Sequence, residues 1–117
     1  DDTLKVEGMK NLFCAGEKVG LLVGHTEAIV TGTLAGFNAV RFAKKQELLT
    51  LPESTAVGDA ICFVREQMQT PEGIRKRYTF SGSVLFQRMK EKEIYTTDIS
   101  AIKERVAQAG MENIFAK

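Results

Sequence analysis

The sequence predicts an α+β fold that is mainly helical, in which one buried strand, a glycine loop and a long helix are followed by a helical tail. Two observations support this prediction. A short apolar run at residues 11–17 has the length and flanks of a strand that is buried on both faces. From residue 25 onward, apolar and small residues recur at helical spacing in segments that proline and glycine separate. We therefore expect a strand-loop-helix unit in residues 1–50 and a helical tail in residues 51–117.

The first predicted helix runs from residue 25 to about residue 45. Steps of three and four residues place small side chains on one of its faces, namely Ala28, Gly32, Gly36, Ala39 and Ala43. A glycine inside a helix costs roughly 0.5–1 kcal/mol relative to alanine, so two of them indicate a compensating close approach. Either a sheet or a ligand lies close against this face, or ordinary tight packing covers it.

The tail is predicted to contain three more helices. Ser54 or Thr55 caps a helix over residues 56–69. Residues 78–86 suit either a strand or an irregular loop, and we favour a loop, with Ser83 then capping a helix over residues 84–92.

The last predicted helix begins at the cap residue Asp98 and stops at Gly110. Its apolar residues recur at helical spacing and are expected to form its buried face: Ile99, Ile102, Val106 and Ala109.

Composition excludes several classes of function. The chain has 117 residues and a net charge of +1, which fits one domain or part of one and gives no general attraction to nucleic acid. One histidine and two distant cysteines offer neither a nucleophile-base pair nor metal-ligand spacing. Cys14 and Cys62 are therefore expected to be reduced core thiols. No apolar run is long enough to cross a bilayer, so we expect a cytoplasmic protein with no membrane partner.

The best candidate for a ligand site is the junction of the predicted strand, loop and helix. The strand would bring Gly16 and Glu17 to the edge of a sheet, where a bare backbone and a carboxylate can contact a ligand. Gly24, His25 and Thr26 would present unpaired N–H groups, equivalent to about half a positive charge, to a carbonyl or an anion. Alternatively, His25 is a solvated helix-start residue and Glu17 a surface acid. Glu27 complements the helix dipole.

Several of these residues resemble a known family. The run from Leu12 to Glu17, the glycines at 20, 24 and 32, and the run from Leu34 to Ala39 are similar to a stretch of flavoproteins related to the glucose-inhibited division protein A. Within that group, the folate- and FAD-dependent tRNA uracil-5 methyltransferases look most similar. The resemblance extends over residues 4–95 and is strongest in residues 11–41.

The resemblance implies that this chain is the C-terminal segment of an FAD-dependent oxidoreductase whose parent modifies tRNA uridine. Residues 1–50 would be the C-terminal strand and helix of an FAD-binding, Rossmann-like domain. Gly16 and Glu17 would meet the ribityl or pyrophosphate part of FAD, and the N–H groups near Gly24, His25 and Thr26 would face the pyrimidine edge of the flavin. The loop before Gly24 departs from the family pattern, since it is one residue longer and contains Leu21, Leu22 and Val23.

The same resemblance implies that the main partner is a missing N-terminal part of the parent chain. Without that part, the isolated chain is expected to be inactive, to lose FAD and to self-associate as a homodimer through its unpaired strand.

An alternative function is an accessory module that binds RNA or protein and has no cofactor of its own. Arg75, Lys76 and Arg77 form a basic cluster that can meet a tRNA backbone, with Arg88, Lys90, Lys92 and nearby aromatic residues around it. The other interpretation of this cluster is a solvated surface over core aromatic residues.

Overall fold

The computed structural model describes residues 1–15, 21–80 and 82–116, and in these ranges the fold is built from helices. The α-helices are α1 (His25–Ala43), α2 (Ala56–Gln67), α3 (Ser83–Glu91) and α4 (Ile99–Gln108), and 3-10 turns occur at Gly73–Arg75 and Ile114–Ala116. The prediction of a mainly helical chain is confirmed. No described helix is both long and apolar enough to cross a bilayer.

The predicted strand at residues 11–17 is not confirmed in its described part. Within residues 1–15 and 21–80, backbone pairing is limited to an antiparallel bridge between Lys5 and Phe13 and a parallel bridge between Leu22 and Tyr78. Leu12 is 45% exposed. A strand inside a parallel sheet has both of its faces covered, whereas the exposure of Leu12 leaves residues 11–15 partly open to solvent. Among the described residues, the backbone of this segment pairs with residues 4–6.

Helix α1 buries a face that is largely polar. The buried residues of this helix are Glu27, Thr31, Leu34, Ala35 and Asn38. The small-residue face predicted to be closely packed is different: apart from chain neighbours and the helix backbone, a Cβ at Gly32 or Gly36 would meet no atom of the described residues within 4 Å. At these two glycines, the predicted close approach is therefore absent from the part of the chain that the structure describes.

Helix α2 begins as predicted, because Thr55 accepts a hydrogen bond from the Gly58 N–H at 3.2 Å. The Thr55 hydroxyl also donates to the carbonyl of Pro52 at 2.7 Å. These bonds hold the chain so tightly that a Cβ at Gly58 would collide with the Pro52 carbonyl. Gly58 is thus required by close approach of two backbone segments.

The boundaries of α3 and α4 agree with the prediction, with two corrections. Gly82 occupies the N-cap position of α3, and Ser83 is the first helical residue, so Ser83 is not the cap. Asp98 does cap α4 by accepting from the Ser100 N–H at 3.0 Å. The expected buried face of α4 is wrong, however, since no residue of α4 is buried and Ile99 is 69% exposed. Helical spacing identifies a face but not what covers it.

Two apolar clusters flank α2. One joins α2 to α3 and to the segment before α1, and consists of Leu21, Leu22, Ala60, Val64, Tyr78 and Leu85. The other joins α2 to α1 and to the N-terminal segment, and consists of Leu4, Leu34, Ala35, Leu51 and Ile61. Because α2 contributes to both clusters, it fixes the start of α1 relative to α3.

Candidate cofactor-binding site

The start of α1 is exposed and has no side-chain cap. Gly24 occupies the N-cap position with φ 120 and ψ 165, and among the described residues no side chain caps the first turn by accepting a hydrogen bond from it. His25 and Thr26 are exposed. The structure thus places Gly24, His25 and Thr26 together where a helix presents free N–H groups and partial positive charge. Gly16 and Glu17 lie outside the described residues.

Glu27 lies beneath this helix start and is only 4% exposed. Its Oε1 accepts a hydrogen bond from the Phe80 N–H at 2.7 Å, and its carboxylate lies so close to Gly24 that a Cβ at that glycine would collide with it. Glu27 therefore complements the helix dipole, as predicted, and also joins α1 to the loop before α3. Its negative charge offsets the partial charge of the helix start, so the exposed N–H groups suit a neutral carbonyl better than a second anion.

The apolar residues before Gly24 anchor the helix start. Leu21 and Leu22 are buried. The Tyr78 N–H donates to the Leu21 carbonyl at 2.7 Å, and the Val23 N–H donates to the Tyr78 carbonyl at 2.9 Å. This pairing connects residues 21–23 to the segment around Tyr78.

An apolar cleft of about 500 Å³ lies directly beside the helix start. Thr26 and Val30 of α1 line one side of it. The rest of the lining comes from α2, α3 and the segments next to α3: Ala56, Val57, Phe80, Phe86, Met89 and Tyr95. Phe86 and Tyr95 pack edge to face, with ring centroids 4.8 Å apart. The cleft offers apolar and aromatic surface to a flat ring, with hydrogen-bond donors at one rim.

The predicted basic cluster is exposed at all three of its residues, Arg75, Lys76 and Arg77. The Arg77 guanidinium donates to the carbonyls of Ile74 and Lys76, at 3.3 and 3.0 Å. The neighbouring Tyr78 is buried, so it cannot stack on a base. Lys90 is exposed as well, and its Nζ lies 4.3 Å from the centroid of the Phe86 ring.

Arg88 and Lys92 are held by Asp59, which the sequence analysis did not identify as a site residue. Arg88 donates to both carboxylate oxygens of Asp59 at 2.8 and 3.0 Å, and Lys92 Nζ donates at 2.6 Å. Burial raises the pKa of Asp59, but the hydrogen bonds and positive charges of Arg88 and Lys92 outweigh burial and leave that pKa lowered. Asp59 lies among the apolar positions of α2, and this placement could have indicated a buried ion pair, because a buried carboxylate requires a partner.

Asn38 is a second polar residue that the sequence analysis did not explain. It is fully buried. Its amide group donates to the carbonyls of Thr3 and Leu49 at 2.9 and 2.8 Å, and its carbonyl accepts from the Leu49 N–H at 2.7 Å. Asn38 lies in the run from Leu34 to Ala39 that resembles the family, and it joins α1 to two segments of the chain.

Both cysteines are free, as predicted. Cys62 is buried, as expected of a core thiol, but Cys14 is only half-buried and does not lie in the core. A hydrogen bond with Glu53 and burial both raise the pKa of the Cys62 thiol, which makes it a poor nucleophile at neutral pH. In residues 1–15, 21–80 and 82–116, no three residues of the metal-ligating types come together.

Comparison with protein families gives a match in the N-terminal part of the chain. The family model described as glucose inhibited division protein A matches residues 1–47. This segment contains the whole of α1, including the helix start described above. No solved structure gives a significant match.

Three curated relatives have the name methylenetetrahydrofolate-tRNA-(uracil-5-)-methyltransferase. The protein from Bacillus pumilus is 40% identical over 62 residues, which are 53% of this chain and 14% of that protein. The proteins from Moorella thermoacetica and Thermosipho melanesiensis are 39% and 35% identical over 69 residues, which are 59% of this chain and 16% of each protein. The matching segment thus spans about one sixth or less of these relatives. Through its first 47 residues, the chain is related to the glucose-inhibited division protein A family.

Proposed function

We propose that this chain is the C-terminal segment of an FAD-dependent oxidoreductase of this family, and that the start of α1 contacts the flavin. The observation on which the proposal depends is the uncapped, exposed helix start at Gly24, His25 and Thr26, beside an apolar cleft. It lies within the segment that matches the family. For the whole protein, we propose modification of tRNA uridine, because the relatives are named as tRNA uracil methyltransferases.

The described residues fit a flavin at this position. FAD supplies redox chemistry when it is bound, and the chain supplies contacts. The backbone N–H groups of His25 and Thr26 would donate to ring carbonyls, and the cleft wall at Thr26 and Val30 would contact apolar ring surface. Glu27 would favour an uncharged flavin ring over an anionic one, because its carboxylate already complements the helix dipole. Gly16 and Glu17 remain a proposed contact with the ribityl or pyrophosphate part.

The missing partner in this proposal is the remainder of the parent chain. The cleft offers contacts to a ring, whereas a dinucleotide also needs a phosphate-binding turn, and the sequence lacks the glycine fingerprint that provides one. We therefore expect the isolated chain to be colourless as purified and inactive by itself. The division into residues 1–50, as part of the FAD-binding domain, and residues 51–117, as the tail, belongs to the same proposal.

Two substitutions at residue 25 test the proposed contact. In a chimera, residues 1–47 replace the matching segment of the Bacillus pumilus relative, and bound flavin is measured by visible absorbance. His25→Pro removes one backbone donor at the first helical position, where proline is well tolerated, and His25→Ala removes only the ring. Loss of one hydrogen bond of about 0.5–1.5 kcal/mol predicts flavin binding roughly three- to tenfold weaker in His25→Pro.

The matched control is His25→Ala, which keeps the N–H and is expected to bind flavin like the unmodified chimera. Circular dichroism checks that both variants keep the helix. Equal flavin affinity in the proline and alanine variants would reject a backbone contact at this position. A yellow isolated chain would reject the need for the remainder of the parent.

A second candidate function is binding of an RNA backbone by Arg75, Lys76 and Arg77, as in the accessory module considered above. One observation favours it: the three side chains are exposed, and none forms an ion pair with a carboxylate of the described residues. Free, adjacent cations of this kind suit phosphate contacts.

A further inference from the structure

The outward face of α1, defined by Ile29, Thr33, Gly36 and Val40, is unusual for a surface helix. All four residues are exposed, and Ile29 and Val40 are exposed by 69% and 54%. They recur at steps of three and four residues, so they form one stripe opposite the buried face. A helix that borders water normally has charged residues on that side.

The outward face has no charged side chain. The two charged residues of this helix are Glu27, which is buried, and Arg41, which is half-buried and whose guanidinium lies 4.7 Å from the centroid of the Phe37 ring. The absence of charge from this face distinguishes it from scattered apolar residues, which are common on any protein surface. It has the composition of a helix that is covered on both sides.

The centre of the stripe is flat. Apart from its chain neighbours and the helix backbone, no atom of the described residues lies within 4 Å of a Cβ placed at Gly36 or at the neighbouring Gly32. Two glycines cost helix stability, and no described residue approaches them to compensate. The space above Gly36 therefore suits a surface that approaches the helix backbone closely.

We propose that the remainder of the family protein docks on this face and brings side chains directly against Gly36. This inference rests on the proposed function for the identity of the partner. The face lies within the segment that matches the family, while the matched segment is only 14–16% of each of the three relatives named above. The occupant is thus an uncharged, apolar surface of the same protein.

Gly36→Leu tests the proposal by opposite effects in two proteins. In the isolated chain, the leucine enters open space and improves helix propensity, so the thermal midpoint is expected to stay the same or rise. In the chimera with the Bacillus pumilus relative, the same leucine occupies the space of the docked surface, so the midpoint is expected to fall. The isolated chain is the matched control, because the substitution is identical. The chimera is measured after flavin removal as well, which makes the readout independent of cofactor.

Each remaining outcome decides against the docking. Equal or higher stability of Gly36→Leu in the chimera would show that nothing packs on this face. An insoluble chimera, prepared beside the soluble relative, would show that the face does not fit. A dimer of the isolated chain that Gly36→Leu dissociates would identify a second copy as the occupant. Failure of the proposed flavin contact can be distinguished from failure of the docking. In that case His25→Pro and His25→Ala would bind flavin equally well, while Gly36→Leu would still lower the thermal midpoint of the chimera.

Discussion

At the residue scale, Asp59 shows how one buried charge holds two helices together. Its carboxylate is 3% exposed and lies within 2.8 Å of Arg88 of α3 and 2.6 Å of Lys92, the C-cap residue of that helix. The Arg88 guanidinium also lies 4.5 Å from the centroid of the Phe63 ring, which gives the pair a fixed geometry. Arg88 and Lys92, which the sequence placed around the predicted RNA-binding cluster, therefore stabilise the packing of α2 against α3.

This arrangement predicts a dependence of stability on pH. Because the folded pKa of Asp59 lies below its unfolded value, its contribution is fully present above the unfolded pKa of about 3.9 and is lost as pH falls through the folded pKa. Asp59→Asn should lower the free energy of unfolding at neutral pH, toward the low end of roughly 3–5 kcal/mol because both cations keep contact with water. Urea unfolding between neutral pH and strongly acidic pH measures this difference, which should shrink with acidification.

The control for that experiment is Asp98→Asn, because Asp98 is an exposed acid and asparagine also caps helices well. It is expected to change stability by a few tenths of a kcal/mol. A constant difference between Asp59→Asn and the unmodified protein across the whole pH range would mean that the ion pair does not govern acid stability.

At the element scale, two glycines in helices have opposite roles that the sequence does not distinguish. Gly58 faces the Pro52 backbone, whereas Gly32 faces open space. Gly58→Ala is expected to destabilise by about 1–3 kcal/mol through overpacking, and Gly32→Ala to stabilise by about 0.5–1 kcal/mol through helix propensity. Denaturant unfolding of both variants measures the two signs. Similar effects of the two substitutions would contradict this assignment of close and open contacts.

The elements that the sequence predicted well are those determined by neighbouring residues. Caps at Thr55 and Asp98 and the 3.6-residue period located α2 and α4, because a helix forms its hydrogen bonds within four residues. Burial depends on distant segments, and this is why the exposed face of α4 was expected to be buried. The same limit applies to the site: the exposed start of α1 followed from Gly24, but the link between Glu27 and Phe80 joins residues 53 positions apart.

At the scale of the whole molecule, helix α2 contributes to both apolar clusters. One apolar cluster positions the start of α1 beside the cleft, and the other joins α1 to the N-terminal segment. The turn that contains Arg75 follows α2 and precedes the Tyr78 backbone contact with Leu21. The basic cluster and the start of α1 are therefore attached to the same framework.

Binding of tRNA by the basic cluster is testable on the chain itself. Neutralising Arg75, Lys76 and Arg77 to glutamine should weaken binding at low salt and reduce the slope of log affinity against log salt by about 2 to 3, since each lost phosphate contact releases nearly one counterion fewer. Fluorescence anisotropy of labelled tRNA at several salt concentrations measures both quantities. The control replaces Lys44, Lys45 and Lys103, which are equally exposed, and should leave the slope nearly unchanged. Equal slopes in the two triple variants would assign any binding to overall charge, and the cluster would then be an ordinary solvated surface.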